Sequence, residues 1–501
     1  MSRIAIDANE MTKVEPAGSI FVSAFACFLL LAPLYRASVL PWPLMLLELA
    51  SVAFLFAMLV VRPAAPALPR TVLGAALILL AYPLVQLIPL PEAWWRALPG
   101  HGPYADSLDL FARGLAGQGD APIRRSLSVI PSATEDGWLS LLPVLACLLA
   151  VGRMRSSDAT RLLLFMAAFA ALEAVLGLLQ VGQDAGSVFY LKIGEAFGAA
   201  VGTFPNRNHL AALFAMTLPL VVGLLVYSIR HERRIRRRRK RPYTFDANVF
   251  AQRALLFTAG VVILLCLFFT RSRAGIATAL VGLACSAVLL PRAHGGIKYT
   301  GYIVIGLIGL GMLLALLIGV TPILGRVQAE QLRASLQDHF MMDGATLRAA
   351  VEFLPFGSGL STLPDVLPRF QTGMLAGFVN YAHDDYLQAF MELGLAAPVA
   401  IGLLLFAYGK RMVELLREGS RASFTLLQIT AGVALLPLIL HSLVDFGLHM
   451  PALAMWFATL AGVLFHPGAE PERSPAPRPR FAVPASALPS QAAAGAPELL
   501  Q

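Results

Sequence analysis

The sequence predicts an all-α, polytopic membrane protein with about 12 transmembrane helices, on three observations. Of its 501 residues 57% are hydrophobic and only 14% are charged, against about 25% charged in a typical soluble domain. The apolar residues gather into runs of about 20, the length a helix needs to cross a hydrocarbon core ~30 Å thick. The short alternating segments that a lipid-facing barrel would require are missing.

Taken in order, the runs predict spans at residues 17–34, 42–61, 71–90, 137–152, 160–180, 208–229, 254–270, 274–291, 299–320, 386–408, 422–442 and 448–466. Ahead of the first, Asp7, Glu10, Lys13 and Glu15 do not resemble a cleaved signal peptide, so that span is expected to stay as an anchor. Cys27, Cys147, Cys266 and Cys285 all fall in expected spans without CxxC spacing, which reads as small buried apolar residues and not as a disulfide framework or zinc site. Alternate connections carry the basic residues: Arg62 and Arg70; Arg153, Arg155 and Arg161; the run from His231 to Arg241; Arg292 and Lys298; and Lys410, Arg411, Arg417 and Arg421. By the positive-inside rule that side is cytoplasmic and both termini lie on it. The net charge of +9 therefore reports topology and contact with lipid headgroups. No nucleic-acid partner is expected.

The other side holds two long connections. In residues 91–136, Trp94 and Trp95 beside Pro91 suit an interfacial aromatic anchor. In residues 321–385, apolar residues from Arg326 to Phe340 recur at helical spacing, and Asp343 is expected to cap a second helix from about Ala345 to Leu354. Pro355 and the turn Phe356-Gly357-Ser358-Gly359 would end it. A connection this long is expected to be structured and to carry function. The chain thus divides into an N-terminal transmembrane region, 1–200, a second transmembrane region, 201–466, that includes the 321–385 loop, and a Pro-, Ala- and Ser-rich tail, 467–501, expected to be disordered and cytoplasmic.

With that topology most polar residues of interest collect on the outer face. Arg271 and Arg273 lie between the seventh and eighth spans, where they either anchor the interface or meet an anion. Their outward position favours a ligand. Arg348, taken alone, is a solvated arginine. His383, in Tyr381-Ala382-His383-Asp384-Asp385-Tyr386, starts a helix at a water interface with Asp384 able to orient its ring. A metal site at His383, Asp384 and Asp385 is the alternative, although no further ligand cluster lies at matching spacing. Asp445 is expected to pair with an arginine more readily than to act in catalysis, and Glu48 and Glu173 should face the bundle interior. Arginines that grip a diphosphate beside a histidine that takes a proton make a site for displacing a phosphate leaving group with a hydroxyl.

Several ordered motifs resemble the bacterial O-antigen ligase/polymerase superfamily of membrane glycosyltransferases. They are Gly202-Thr203-Phe204-Pro205-Asn206-Arg207-Asn208-His209, Ser272-Arg273-Ala274-Gly275, Arg348 with Pro355-Phe356-Gly357-Ser358-Gly359-Leu360, His383-Asp384-Asp385-Tyr386-Leu387-Gln388 with Glu392-Leu393-Gly394, and His441-Ser442-Leu443-Val444-Asp445-Phe446. The resemblance implies a GT-C-like helical fold in the bacterial inner membrane with a periplasmic active site. It implies a polyprenyl-diphosphate-linked glycan donor, a glycolipid or glycan acceptor, and inverting transfer without metal or other cofactor. Carried over residue by residue, Arg273 and Arg348 match the arginines that hold the donor diphosphate and His383 the histidine that activates the acceptor hydroxyl. Arg207, Arg271, Asp384 and Asp445 are supporting candidates. Metal-dependent GT-C enzymes place carboxylates on the first outer loop, and Tyr35 to Pro41 has none. Ligase action on lipid A core is the first expectation and repeat-unit polymerisation the second. A transporter of lipid-linked sugars is the rival of another class, disfavoured because the charges cluster at one face and not at mid-membrane.

Overall fold

The computed structural model describes residues 16–34, 36–61, 68–114, 125–183, 198–239, 245–292, 299–318, 329–371, 379–418 and 423–468. The expected tail lies outside these from residue 469 onward, as do residues 319–328 at the start of the large loop. The described helices are α1 (Pro16–Leu34), α2 (Pro41–Val61), α3 (Arg70–Gln86), α4 (Glu92–Arg96), α5 (Gly102–Gly114), α6 (Pro131–Leu139), α7 (Leu141–Gly152), α8 (Ser156–Gln180) and α9 (Arg207–Arg239). They continue with α10 (Ala247–Phe269), α11 (Arg273–Arg292), α12 (Tyr299–Ile318), α13 (Ala329–Glu352), α14 (Leu363–Val366), α15 (Asp385–Leu393), α16 (Ala396–Glu418), α17 (Ser423–His441) and α18 (Pro451–Leu464). Among the described residues there is no strand. Eight helical segments are long and apolar enough to cross a membrane, and Ile20–Leu34, Arg70–Gln86 and Pro451–Leu464 are shorter apolar helices. The chain is an all-α, multi-pass membrane protein.

The bundle is built around α9, which is buried through its apolar length among α8, α10, α11, α17 and α18. A helix surrounded on all sides must be apolar all round, and from Leu210 to Val226 its one hydroxyl, Thr217, donates back to Leu213 O at 2.8 Å. Ser286, Thr430 and Thr459 do the same one turn back in their own helices, so these hydroxyls are not left unpaired in the apolar surroundings. Small residues bring the helices close. A Cβ at Gly223 would strike Thr430, and one at Gly282 would meet both Pro219 and Pro437.

At one end of the bundle lie the C-termini of α8, α10 and α17 and the N-termini of α9, α11 and α18. The two long connections meet over that region through a core of their own, in which Val129 packs with Ala345, Ala349, Phe353, Leu363, Val366 and Met391. Val129 N donates to Ser358 O (2.9 Å), and Thr134 Oγ1 donates to Leu360 O (3.0 Å). The described parts of 91–136 and of 321–385 therefore form one structured cap. At the opposite end, Arg253 pairs with Glu232 at 2.6 Å, Arg236 with Glu232 at 3.1 Å, and Arg411 donates to Leu464 O at 3.3 Å.

Four expectations need correction. The tenth span, 386–408, is two helices, α15 and α16, broken at Gly394 (φ +56°). There the backbone lies against Pro355 and Gly357, too close for a side chain on Gly394. The fourth, 137–152, extends back to Pro131 as α6 and α7. Asp343 does not begin a helix; it sits inside α13, which runs from Ala329 to Glu352 with no proline to interrupt its ladder, and Ala345, Ala349 and Ala350 after it are buried. Trp95 is no interfacial anchor: it is 2% exposed and its indole N–H donates to Ser126 O at 2.8 Å, while Trp94 remains 69% exposed.

Candidate active site

The site grows from the helix ends under the cap. Asn206 Oδ1 accepts from Asn208 N–H at 2.9 Å, capping the first turn of α9 and setting His209 facing inward. The loop before it is held from α8: Gln180 Oε1 accepts from Val201 and Gly202 N–H (3.0 and 2.8 Å), and the buried Glu173 accepts from Thr203 N–H and Oγ1 (3.0 and 2.9 Å). In Ser272-Arg273-Ala274-Gly275 each residue has a local reason. Ser272 Oγ accepts from Gly275 N–H (3.2 Å) and caps α11, while a Cβ on Gly275 would collide with Ala211, two residues past His209. Arg273 is thereby set at the mouth of the bundle end, exposed and without a protein partner among the described residues. The positive end of α11 reinforces its charge.

His383 comes from the loop. Its backbone is left-handed (φ +42°), a conformation uncommon outside glycine. It is held there because the next residues are tied down. Asp384 Oδ1 accepts from Tyr386 and Leu387 N–H, both at 2.9 Å, capping α15. Asp385 N–H donates to Ser442 O (2.9 Å), its carboxylate accepts from Leu448 N–H (2.9 Å) and pairs with His449 Nδ1 (2.5 Å), and Tyr386 OH donates to Ile439 O (2.7 Å). Phe446 fills the space between, stacked on Tyr381 and edge-on to both His383 and His209.

At the centre is Asp445, 2% exposed. His383 Nδ1 lies 3.6 Å and His209 Nε2 3.9 Å from its Oδ1, and His441 Nε2 lies 3.6 Å from its Oδ2. These separations exceed hydrogen-bond length, so the coupling is mainly Coulombic. Burial would raise the Asp445 pKa, but His383, His209 and His441 together hold it well below the usual carboxylate range. The expected arginine partner is thus replaced by three histidines from α9, α17 and the loop. Asp384 is raised by burial against the two backbone N–H groups it accepts. Burial alone would lower His449, but the hydrogen bond and charge of Asp385, with Glu392, carry it above its ordinary value.

The other sequence-named residues are placed as follows. Arg271 (φ +56°) lies half-buried between α10 and α11 with its guanidinium against Gly198, and Arg207 is the half-buried first residue of α9. Arg348 is on an exposed face of α13, donating from Nη2 to Phe370 O at 3.0 Å. From the same helix His339 meets the His383 ring edge-on, with centroids 5.2 Å apart. Among the described residues, no group of three or more His, Cys, Asp or Glu side chains is arranged to hold a metal ion. Sequence reasoning missed His209, His441 and His339 as neighbours of His383. The signal for the first two was a histidine at a span end on the same side as His383.

Residues 258–407 match the family model described as O-antigen ligase. No curated protein matches the chain. The matched region contains Arg271, Arg273, Arg348, His383 and Asp384, whereas His209, His441 and Asp445 fall outside it. It supports a membrane enzyme of glycosyltransferase type with a general role in O-antigen ligation or polymerisation. Over that segment the chain is similar to the O-antigen ligase family, and this match, beside an all-α bundle whose polar groups converge under one cap, supports the O-antigen ligase/polymerase superfamily.

Proposed function

We propose that the protein transfers a glycan from a polyprenyl-diphosphate donor to an acceptor hydroxyl at the periplasmic face of a bacterial inner membrane. Its first assignment is ligase action on lipid A core. The observation that carries this reading is His383 with Nδ1 against the buried carboxylate of Asp445, at the bundle end where Arg273 is exposed and has no partner among the described residues.

In the proposed step, His383 Nε2 takes the proton of the acceptor hydroxyl, whose oxygen attacks the anomeric carbon opposite the diphosphate. The bond to the diphosphate breaks with its electron pair leaving on the phosphate oxygen, and configuration inverts. Asp445 stabilises the imidazolium that forms. Arg273 and Arg348 are assigned to the diphosphate, whose charge grows as it leaves. Protein residues supply each of these roles.

Two measurements test the reading. Purified protein given a polyprenyl-diphosphate oligosaccharide and acceptor in detergent should release polyprenyl diphosphate; no release without a membrane gradient would leave transport standing instead. A deletion strain separates the branches. Loss of all long-chain polysaccharide from lipid A core supports the ligase, and survival of a single-repeat band overturns it in favour of a polymerase.

A further inference from the structure

Resting on that reading, we infer that His339 and Asp343 of α13 form the acceptor side of the cleft and select a sugar with adjacent hydroxyls. One hydroxyl reacts at His383, and its neighbour donates a hydrogen bond to Asp343.

The two residues are one turn apart on α13, on the same face of the helix. His339 meets the His383 ring edge-on at 5.2 Å, so this face lies beside the proposed base. Asp343 Oδ1 is closed off from solvent yet has no hydrogen-bond donor among the described residues. Buried carboxylate oxygens are seldom left so. The other carboxylates near His383 are otherwise engaged. Asp384 is used by Tyr386 and Leu387 N–H, Asp385 by Leu448 N–H and His449, and Asp445 lies against the Nδ1 edge of the ring. Asp343 approaches from the opposing element, α13, and interacts with His383 and Asp384 through charge. Nδ1 of His383 faces Asp445, which leaves Nε2 for the reacting hydroxyl.

The reacting hydroxyl gives its proton to His383 Nε2, so Asp343 serves the next hydroxyl on the same ring. It orients the sugar and is unchanged by the reaction. An acceptor lacking that hydroxyl leaves the Oδ1 as it is in the free protein.

The test uses the full-length protein in nanodiscs with a polyprenyl-diphosphate oligosaccharide donor. Lipid A core and a second lipid-linked repeat unit are offered as acceptors in parallel arms. Asp343→Ala should raise the KM of whichever acceptor turns over by about ten- to hundred-fold, the effect of losing one hydrogen bond to a charged group. The donor KM should hold. Asp343→Asn, which keeps the shape of the side chain, should raise it less, and His339→Ala should raise the acceptor KM as well. Removing the neighbouring hydroxyl from the acceptor should cost the wild type as much as Asp343→Ala does and cost that variant nothing more. An unchanged acceptor KM in Asp343→Ala, or donor and acceptor KM rising together in both Asp343 variants, overturns the inference while transfer by the wild type keeps the glycosyltransferase reading. Failure of the wild type on both acceptors removes the two together.

Discussion

A carboxyl group as enclosed as that of Asp445 ordinarily keeps its proton, because burial penalises the charged form. Here three imidazoles reverse the balance and hold its pKa well below the usual range. The sign follows: stability from the charged form is present above the ordinary carboxylate pKa and is lost only as pH falls through the lower folded value. Asp445 is therefore charged throughout the range in which histidines titrate. If it supports His383, Asp445→Asn should lower kcat with little change in donor KM. His383→Ala should lower it further, by roughly 10²–10⁴-fold, the usual worth of a general base. Wild-type turnover in an inserted His383→Ala protein would remove that residue from the mechanism. For the arginines the expected change lies in donor binding. Arg273→Ala should raise donor KM by about ten- to hundred-fold through lost charge-assisted phosphate contacts. Arg348 already gives one nitrogen to Phe370 O, so Arg348→Ala should cost less than Arg273→Ala, and the reverse order would put the diphosphate nearer α13.

At the scale of elements, α15 decides where His383 sits. The helix is capped by Asp384, tied to the turn after α17 through Asp385, and pressed from behind by Gly357, where any Cβ would strike the Glu392 carbonyl. The pair His449–Asp385 makes the tie depend on pH. His449 is raised in the folded protein, so the stabilisation is complete below the ordinary histidine pKa of ~6.5 and fades as pH climbs through the raised value. Hydrogen exchange of the α15 amides, corrected for intrinsic rate, should show protection that is level in mild acid and declines in alkali. His449→Gln should flatten that decline; an identical decline in the variant would assign it elsewhere. The break between α15 and α16 could not be read locally. Leu393, Leu395, Ala396 and Ala397 all favour helix, and the stop is imposed by backbone at Pro355 and Gly357, nearly forty residues away. Asp343 misled for the same reason. A capping residue acts only where a helix must begin, and α13 runs from Ala329 to Glu352 straight through Asp343 with no proline to stop it.

For the whole molecule the membrane makes much of the architecture legible. Hydrocarbon thickness sets the length of apolar runs, and among the described residues eight helical segments are long and apolar enough to cross, with three shorter apolar helices beside them. The basic residues Arg236, Arg253 and Arg411 gather at the end of the bundle away from His383, as the charge rule anticipates. What stayed hidden was the partnership around Asp445, because it joins α9, α17 and a loop that are distant in sequence and meet only through packing. Sidedness has a direct check. Alkaline phosphatase fused within the 91–136 cap should be active and the same reporter fused after Arg241 inactive; the opposite result would invert the protein and place His383 in the cytoplasm. The central helix adds one consequence. From His209 to Arg234 it is one continuous helix of 26 residues, whose 25 steps at 1.5 Å each span about 38 Å. Its arginine-rich foot floats at one water boundary as a plumb line hangs from its nail. The depth of the imidazole beneath the far lipid surface is then governed by bilayer thickness, and a membrane thicker by a few ångströms would sink the reacting groups below the level at which a sugar headgroup waits.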